Sequence, residues 1–234
     1  MKQTVPDFSI VVPVLHEQKT IGRFIDGVES IRGYDRCELV VVDGDPGGAT
    51  VGEIEKGRAI TLISAPGRSR QMNAGAAASS GRVLVFLHAD TRLPAGALAD
   101  IDEALSAGAA DAGAFGLAFD SERFVYRLIA ATATLRSRWR LLPYGDQALF
   151  IQRRLFENLG GYTDIPVLED VDLVRRVRRS GAGLTILDSA VRTSTRRLES
   201  EGIVRRVTLN WMLMILYNLG VSPHRLARFY PAGR

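Results

Sequence analysis

The chain has 234 residues, 46% of them hydrophobic and 24% charged, a composition that suits one substantial core and excludes both a disordered chain and a multi-span membrane protein. Its net charge is +4, and the basic residues are nearly all arginine, with lysine only at Lys2, Lys19 and Lys56. Cys37 is the single cysteine, so an intrachain disulfide and a cysteine-based zinc site are excluded.

Met1 to Asp7 contains no long apolar stretch with a cleavage site, so the expected compartment is the cytoplasm. Phe8 to Val14 is a short β-branched run, followed by a helical pattern with Ile21, Phe24, Ile25 and Val28 on one face. Leu39 to Val42 reads as a second strand ending at Asp43, then a glycine-rich turn, a short helix and a third strand near Ile60 to Ile63. Arg68 to Ser79 is an alanine-rich helix, Val83 to Leu87 a fourth strand and Ala95 to Leu105 another helix. Continuous apolar strands alternating with helices predict an α/β fold, a Rossmann-like, mainly parallel sheet flanked by helices. Beyond Gly113 the pattern loosens: a strand over Ala114 to Phe119, a helix over Tyr126 to Arg140, a short strand over Ala148 to Gln152, and a helix from Arg153.

The chemistry-bearing residues fall at strand ends. The turn after the first strand, Pro13-Val14-Leu15-His16-Glu17, holds no glycine, which argues against a dinucleotide-binding fingerprint; no P-loop and no G-x-S-x-G elbow occurs. What does occur is a series of acids, Glu17, Asp43 and Asp90, after successive strands, converging on the rim where open α/β sheets bind ligands. By itself Asp90 reads either as a cap for the helix that Pro94 begins or as a holder of a cation. Glu169 and Asp170 open a helix whose first turn is acidic and whose last turn carries Arg175, Arg176, Arg178 and Arg179, complementing the helix dipole. A carboxylate there can equally serve as a general base.

Charge is uneven. Seven arginines lie between Arg123 and Arg154 against the single acid Asp146, and seven more from Arg196 to Arg234 against Glu199 and Glu201. That field suits an anionic membrane surface, a phosphate-bearing ligand or nucleic acid, besides an ordinary solvated surface. Ile203 to Gly220 is apolar nearly all round, too short to span a bilayer comfortably, and reads as a buried packing helix, an interfacial membrane helix or a subunit contact in a homodimer.

Taken in order, Val12-Pro13-Val14-Leu15-His16-Glu17, Val41-Val42-Asp43-Gly44-Asp45, His88-Ala89-Asp90, and Gly160-Gly161-Tyr162 followed by Glu169-Asp170 resemble the motifs of family 2 glycosyltransferases with the GT-A fold. The likeness runs from about Ser9 to beyond Arg197. It is nearest to a short bacterial-type subgroup with Leu87-His88-Ala89-Asp90-Thr91, Tyr144-Gly145-Asp146-Gln147 and Ser194-Thr195-Arg196-Arg197.

That resemblance implies a GT-A glycosyltransferase domain over residues 1–200 and a C-terminal helical appendage over 201–234. It implies a nucleotide-diphospho-sugar donor, UDP- or GDP-linked, transferred with inversion to an acceptor that includes lipid-linked molecules among its candidates. Pro13, Val14, Glu17, Asp43, Arg70, Asn73 and Ala89 would frame the nucleotide. Asp90, with His88, would hold a divalent metal, Mg²⁺ or Mn²⁺; Asp170 would be the general base and Glu169 its neighbouring candidate. Asp146, Gln147, Arg196 and Arg197 would lie on the acceptor or diphosphate side. Three departures stand out: His88 replaces the first acid of the family's D-x-D, His16 stands where asparagine is usual, and Pro46 where serine is common. The expected partners exclude nucleic acid and include the inner face of the cell membrane. A sugar-phosphate nucleotidyltransferase and a non-catalytic nucleotide- or membrane-binding module are the competing readings.

Overall fold

The computed structural model describes residues 6–108 and 110–229, with the backbone alone at Arg140. The reading made on Met1 to Val5 and the last residues of the appendage, 230–234, lie outside the described residues. In chain order the elements are β1 (Phe8–Val14), α1 (Ile21–Glu29), β2 (Cys37–Asp43), β3 (Ile60–Ile63), α2 (Arg68–Ala77), β4 (Val83–Phe86), β5 (Thr91–Arg92) and α3 (Ala97–Ser106). There follow β6 (Ala112–Phe119), α4 (Phe124–Arg140), β7 (Leu149–Gln152), α5 (Arg153–Asn158), α6 (Glu169–Arg179), β8 (Leu184–Thr193), α7 (Arg196–Glu201), α8 (Ile203–Asn218) and α9 (Pro223–Leu226). The short helix expected after Gly48 is a single 3₁₀ turn, Val51–Glu53.

The strands form one eight-stranded sheet in the order β3-β2-β1-β4-β7-β6-β8-β5. Its first four strands are all parallel; β7 runs antiparallel to both β4 and β6, and β6 pairs parallel with β8. Two strands carry no clear pattern in the sequence. β5 is only two residues long, and β8 mixes polar and apolar residues while its pairing with β6 shifts register between Ala114 and Gly116, so a period of two is broken.

Strand β1 is buried on both faces, and its side chains alternate between two cores. Ile10, Val12 and Val14 face the layer containing α1 and α3, while Val11 faces the one containing α2 and α6. Each such valine or isoleucine contributes roughly 1.5–3 kcal/mol on burial. A third, small cluster of Val167, Leu213 and Leu226 docks α8 and α9 on the loop before α6. No helix among the described residues is long and apolar enough to cross a membrane.

Helix α2 has a weakly apolar face and is held by two other devices. Gln71 is buried, and its amide donates to the carbonyls of Val14 and Val42, both at 2.8 Å, tying the helix to the carboxyl ends of β1 and β2. Gly75 lets the helix backbone lie against the sheet: a Cβ there would collide with Val11 Cγ1 and stand 3.0 Å from Val42 Cγ2. Gly75→Ala therefore lowers stability by about 1–3 kcal/mol, since overpacking outweighs the roughly 1 kcal/mol gain in helix propensity. Gly27 of α1 has nothing within 4 Å of its would-be Cβ, so Gly27→Ala raises stability by about 0.5–1 kcal/mol. Urea unfolding of the two variants should show opposite signs.

Candidate active site

The site is assembled by the switch from parallel to antiparallel pairing. Phe86, the last residue of β4, pairs with Leu149, the first of β7, so the segment that leaves β4 and the turn that leads into β7 meet at one rim. The first carries His88, Ala89 and Asp90; the second carries Tyr144, Gly145, Asp146 and Gln147. Strands β1 and β2 end on the same side, with Val14 in register with Asp43. This is the carboxyl edge where α/β sheets bind ligands.

Gly145 is the contact point. Its N–H donates to Asp170 Oδ2, and a Cβ placed on it would lie 3.2 Å from that same oxygen and 3.2 Å from His88 Nε2. A side chain at 145 would thus displace either the carboxylate or the imidazole. Asp170 is oriented from the other side by Val171 N–H, which donates to Oδ1 at 2.8 Å. Leu168, just before α6, adopts a left-handed backbone with φ of 63°. His16 and Ala148 do the same with φ of 58° and 48°, so three of these sparsely populated conformations flank the rim.

Asp146 completes an acidic group. Burial pushes its carboxyl up to about 6, aided by Asp170 and then Asp90, while Arg136 and Arg68 oppose the rise. Arg136 in turn lies over the Tyr144 ring, 3.6 Å from its centroid. Acids from three separate elements therefore share one field. Arg68, Arg136 and Gly145 had no assigned role in the sequence reading; Tyr144-Gly145-Asp146-Gln147 marked the last of them only as a motif.

The other sequence-selected residues divide between this rim and the scaffold behind it. Asp43 is fully buried, and its carboxylate accepts from the N–H groups of Asp45 (2.9 Å), Thr50 (2.8 Å) and Val51 (3.3 Å). It shapes the loop after β2, and Thr50 passes the constraint on by accepting the Glu17 N–H at 3.1 Å. Glu17 also accepts from Thr20 Oγ1 at 2.5 Å and from Arg196 at 3.2 Å, which brings the start of α7 to the end of β1. Pro13 is half-buried and Val14 buried, the Val14 carbonyl receiving both Gly44 N–H and Gln71.

Arg70 is exposed and paired with Asp164. Asn73 forms a two-way clasp with the Tyr162 backbone, at 2.9 and 2.8 Å, anchoring the Gly160-Gly161-Tyr162 loop to α2. Gln147 is buried and satisfied by Ser137, Tyr144 N–H and the Phe115 carbonyl. Glu169 is buried, and with Asp170 it contributes to raising the Tyr162 hydroxyl, for which burial is the main cause. Ala89, Asp90, His88 and Arg197 are half-buried. Asp90 is linked to β8 through Ser194 N–H, which donates to its carbonyl at 3.1 Å.

Among the described residues no three histidine, cysteine or acidic side chains are gathered into a metal cage. The donors do suit a different kind of site. A hard cation such as Mg²⁺ takes one or two carboxylates and completes its shell with water and substrate phosphates, and Asp146, raised in part by its acidic neighbours, marks a place where positive charge is favoured.

A carboxyl raised above its ordinary value binds its proton more tightly in the folded state. Its neutral form is accommodated fully at low pH, and the penalty grows as pH rises from about 4 and is complete above about 6. Asp146→Asn therefore stabilises the protein near pH 8 by up to about 3 kcal/mol, and the gain disappears below about pH 4. Thermal unfolding at the two pH values checks the sign.

Residues 9–163 match the model of a protein family described as glycosyl transferase family 2. The fold resembles that of Staphylococcus aureus TarS, with a TM-score of 0.62 and 15% identity over 80% of this chain and 36% of that one. TarS 1-349 in complex with UDP-GlcNAc gives 0.61 and 14%, covering 80% of this chain and 58% of that one. The mannosyltransferase PcManGT from Pyrobaculum calidifontis, in complex with GDP-Man and Mn²⁺, gives 0.60 and 18%, again 80% and 58%. The chain thus spans between about a third and three-fifths of the length of these structures. Comparison with curated proteins finds no match. With the family's pattern covering well over half its length on a GT-A-like sheet, the chain belongs to glycosyl transferase family 2.

Proposed function

We propose that the protein is an inverting glycosyltransferase that moves a sugar from a UDP- or GDP-linked donor to an acceptor hydroxyl. The observation that carries this reading is the junction at Gly145, where a carboxylate from α6 and an imidazole from the end of β4 abut one backbone position. Asp170 is the base. Two backbone N–H groups orient its carboxylate, and a carboxylate has about four acceptor positions, so capacity remains for the acceptor proton.

In the transfer, the acceptor oxygen forms a bond to the anomeric carbon as the bond from that carbon to the diphosphate breaks. The leaving oxygen keeps the bonding electrons, and the hydroxyl proton passes to Asp170. Asp90, with His88 beside it in the chain, would hold Mg²⁺ or Mn²⁺, which when bound would offset charge on the diphosphate. Arg68 and Arg136 supply fixed positive charge on the same rim. Arg196 is held by Glu17 near the end of β1, and Arg197 beside it belongs to the same segment. Glu169, being buried, supports the entrance of α6 rather than meeting the acceptor. The loops shaped by Asp43 and Asn73, with Pro13, Val14, Glu17, Arg70 and Ala89, form the nucleotide side.

The acceptor is read as lipid-linked and the protein as a peripheral one on the inner face of the membrane. Supporting this, α8 exposes Val204, Trp211, Met212 and Ile215, with Leu219 just beyond its end, and contains no acidic residue. Asp170→Asn should lower turnover about 10²–10⁴-fold on a panel of UDP- and GDP-sugars while leaving donor binding intact. Full activity in that variant would remove Asp170 as the base. Asp90→Ala should abolish the Mn²⁺-dependent part of nucleotide binding in calorimetric titration. Flotation with anionic vesicles checks the α8 reading, and self-association in its place would assign that face to a homodimer.

A further inference from the structure

Helix α4 is built inside out. Apart from Tyr126, its inner face, packed on β6, is small or polar: Ala130 and Ser137 are buried with Tyr126, and Thr134 accepts the Leu117 N–H at 2.9 Å. Its outer face carries Phe124, Leu128, Leu135 and Trp139, exposed to 76%, 52%, 68% and 85%. Spacings of four, seven and four residues place these on one stripe. Within Phe124–Arg140 there is no acidic residue.

Beside this stripe lies an arginine cluster. Thr91 and Thr193 face each other across the β5–β8 ladder, buried, with their hydroxyls 3.2 Å apart. Arg92 and Arg192, the next pair, therefore stand directly opposite each other on the other face, where like charges destabilise a sheet. Arg192 also borders a groove of about 330 Å³ between β6 and α4, walled by Leu117, Phe119, Ala130 and Ala131, with Arg127 at its side and Glu122 as the one acid. Among the described residues none of Arg92, Arg127 and Arg192 forms a side-chain hydrogen bond or ion pair.

We propose that Arg92, Arg127 and Arg192, with the outward stripe of α4, form a docking site for the phosphate of an anionic membrane lipid. The guanidinium groups take the phosphate, the groove takes the adjoining apolar part of the lipid, and the stripe enters the bilayer interface. The charge selects the occupant. A second copy of the chain on this face would bring arginines against their own equivalents, whereas an anionic leaflet neutralises them. This deepens the membrane reading of α8 but stands on separate residues.

The two tryptophans provide separate reporters, Trp139 on α4 and Trp211 on α8. In Trp211→Phe, vesicles of phosphatidylcholine with about 30% phosphatidylglycerol should shift Trp139 emission to the blue, and phosphatidylcholine alone should not. Adding Arg92→Gln and Arg192→Gln should weaken this partitioning roughly thirtyfold. The same two replacements should raise the Tm of the free protein at low salt, because they relieve the facing charges. A soluble short-chain phosphatidic acid should raise the Tm more than inorganic phosphate does at equal concentration.

No blue shift of Trp139, or one indifferent to the arginine replacements, overturns the proposal. Equal stabilisation by inorganic phosphate overturns the lipid assignment and makes the cluster a free-phosphate site. In Trp139→Phe, a shift of Trp211 emission without any at Trp139 in the companion protein leaves the α8 reading standing and removes this one.

Discussion

The arrangement of the rim depends on one pairing, the antiparallel contact of β4 with β7. Were β7 parallel to β4, the turn over residues 144–148 would lie at the opposite edge of the sheet, near the groove of about 540 Å³ lined by Arg82, Asp102, Gln152 and Arg153. With Phe86 opposite Leu149, that turn instead faces His88 and Asp90. Gly145 then converts proximity into contact. A glycine there lets Asp170 accept its N–H with the His88 ring close by, where a side chain would push both neighbours back by a few tenths of an ångström. The left-handed backbone at Leu168 and Ala148 belongs to the same solution, since both residues adjoin the segments that meet there.

Behind the rim, polar residues hold loops in shape. Asp43 looks from the sequence like a ligand-facing acid at a strand end; in the fold its carboxylate accepts from three backbone donors. Asn73 is likewise occupied by both polar groups of the Tyr162 backbone. Such buried side chains convert irregular loops into fixed surfaces, because leaving their backbone partners unpaired would cost about 1–3 kcal/mol each. The side of the rim proposed to take the nucleotide is therefore shaped by residues whose own polar atoms are largely spoken for. Glu17 and Arg196, paired at a partly exposed position, are nearer to the surface.

In the first half of the fold β1, β2 and β4 were legible as continuous apolar runs buried on both faces and α1 as a clear stripe, whereas β3 is an apolar run on an exposed edge strand and α2 has only a weakly apolar face. Phe8 to Val14 and Ile60 to Ile63 emerge with the bounds that pattern predicts. The second half was less so. β8 is irregular, β5 is too short to show a period, and α4 turns Phe124, Leu128, Leu135 and Trp139 outward, so its apolar stripe does not mark its packed face. Within the site, acids at strand ends could be seen in the sequence, but their partners could not. Arg68 and Arg136 reach Asp146 from distant elements, and the importance of Gly145 lies in what surrounds it in space. Chain spacing carries no trace of either.

The segment from His88 to Arg92 joins two concentrations of charge of opposite sign. Asp90 shares the acidic rim with Asp146 and Asp170, while Arg92, two residues on, faces Arg192. Neither concentration of like charge stabilises the isolated fold. The ladder of Phe86 against Leu149 brings Asp90 and Asp146 to one rim, and that of Thr91 against Thr193 sets Arg92 opposite Arg192. Charge held together in this way is complementary to a partner of opposite sign, and the two signs call for different ones. The acidic rim suits a cation with a diphosphate, flanked by arginines that accommodate the phosphate oxygens; the arginine face suits an anionic surface. One short segment thus carries a residue of each group within two positions, Asp90 of the acidic rim and Arg92 of the arginine face.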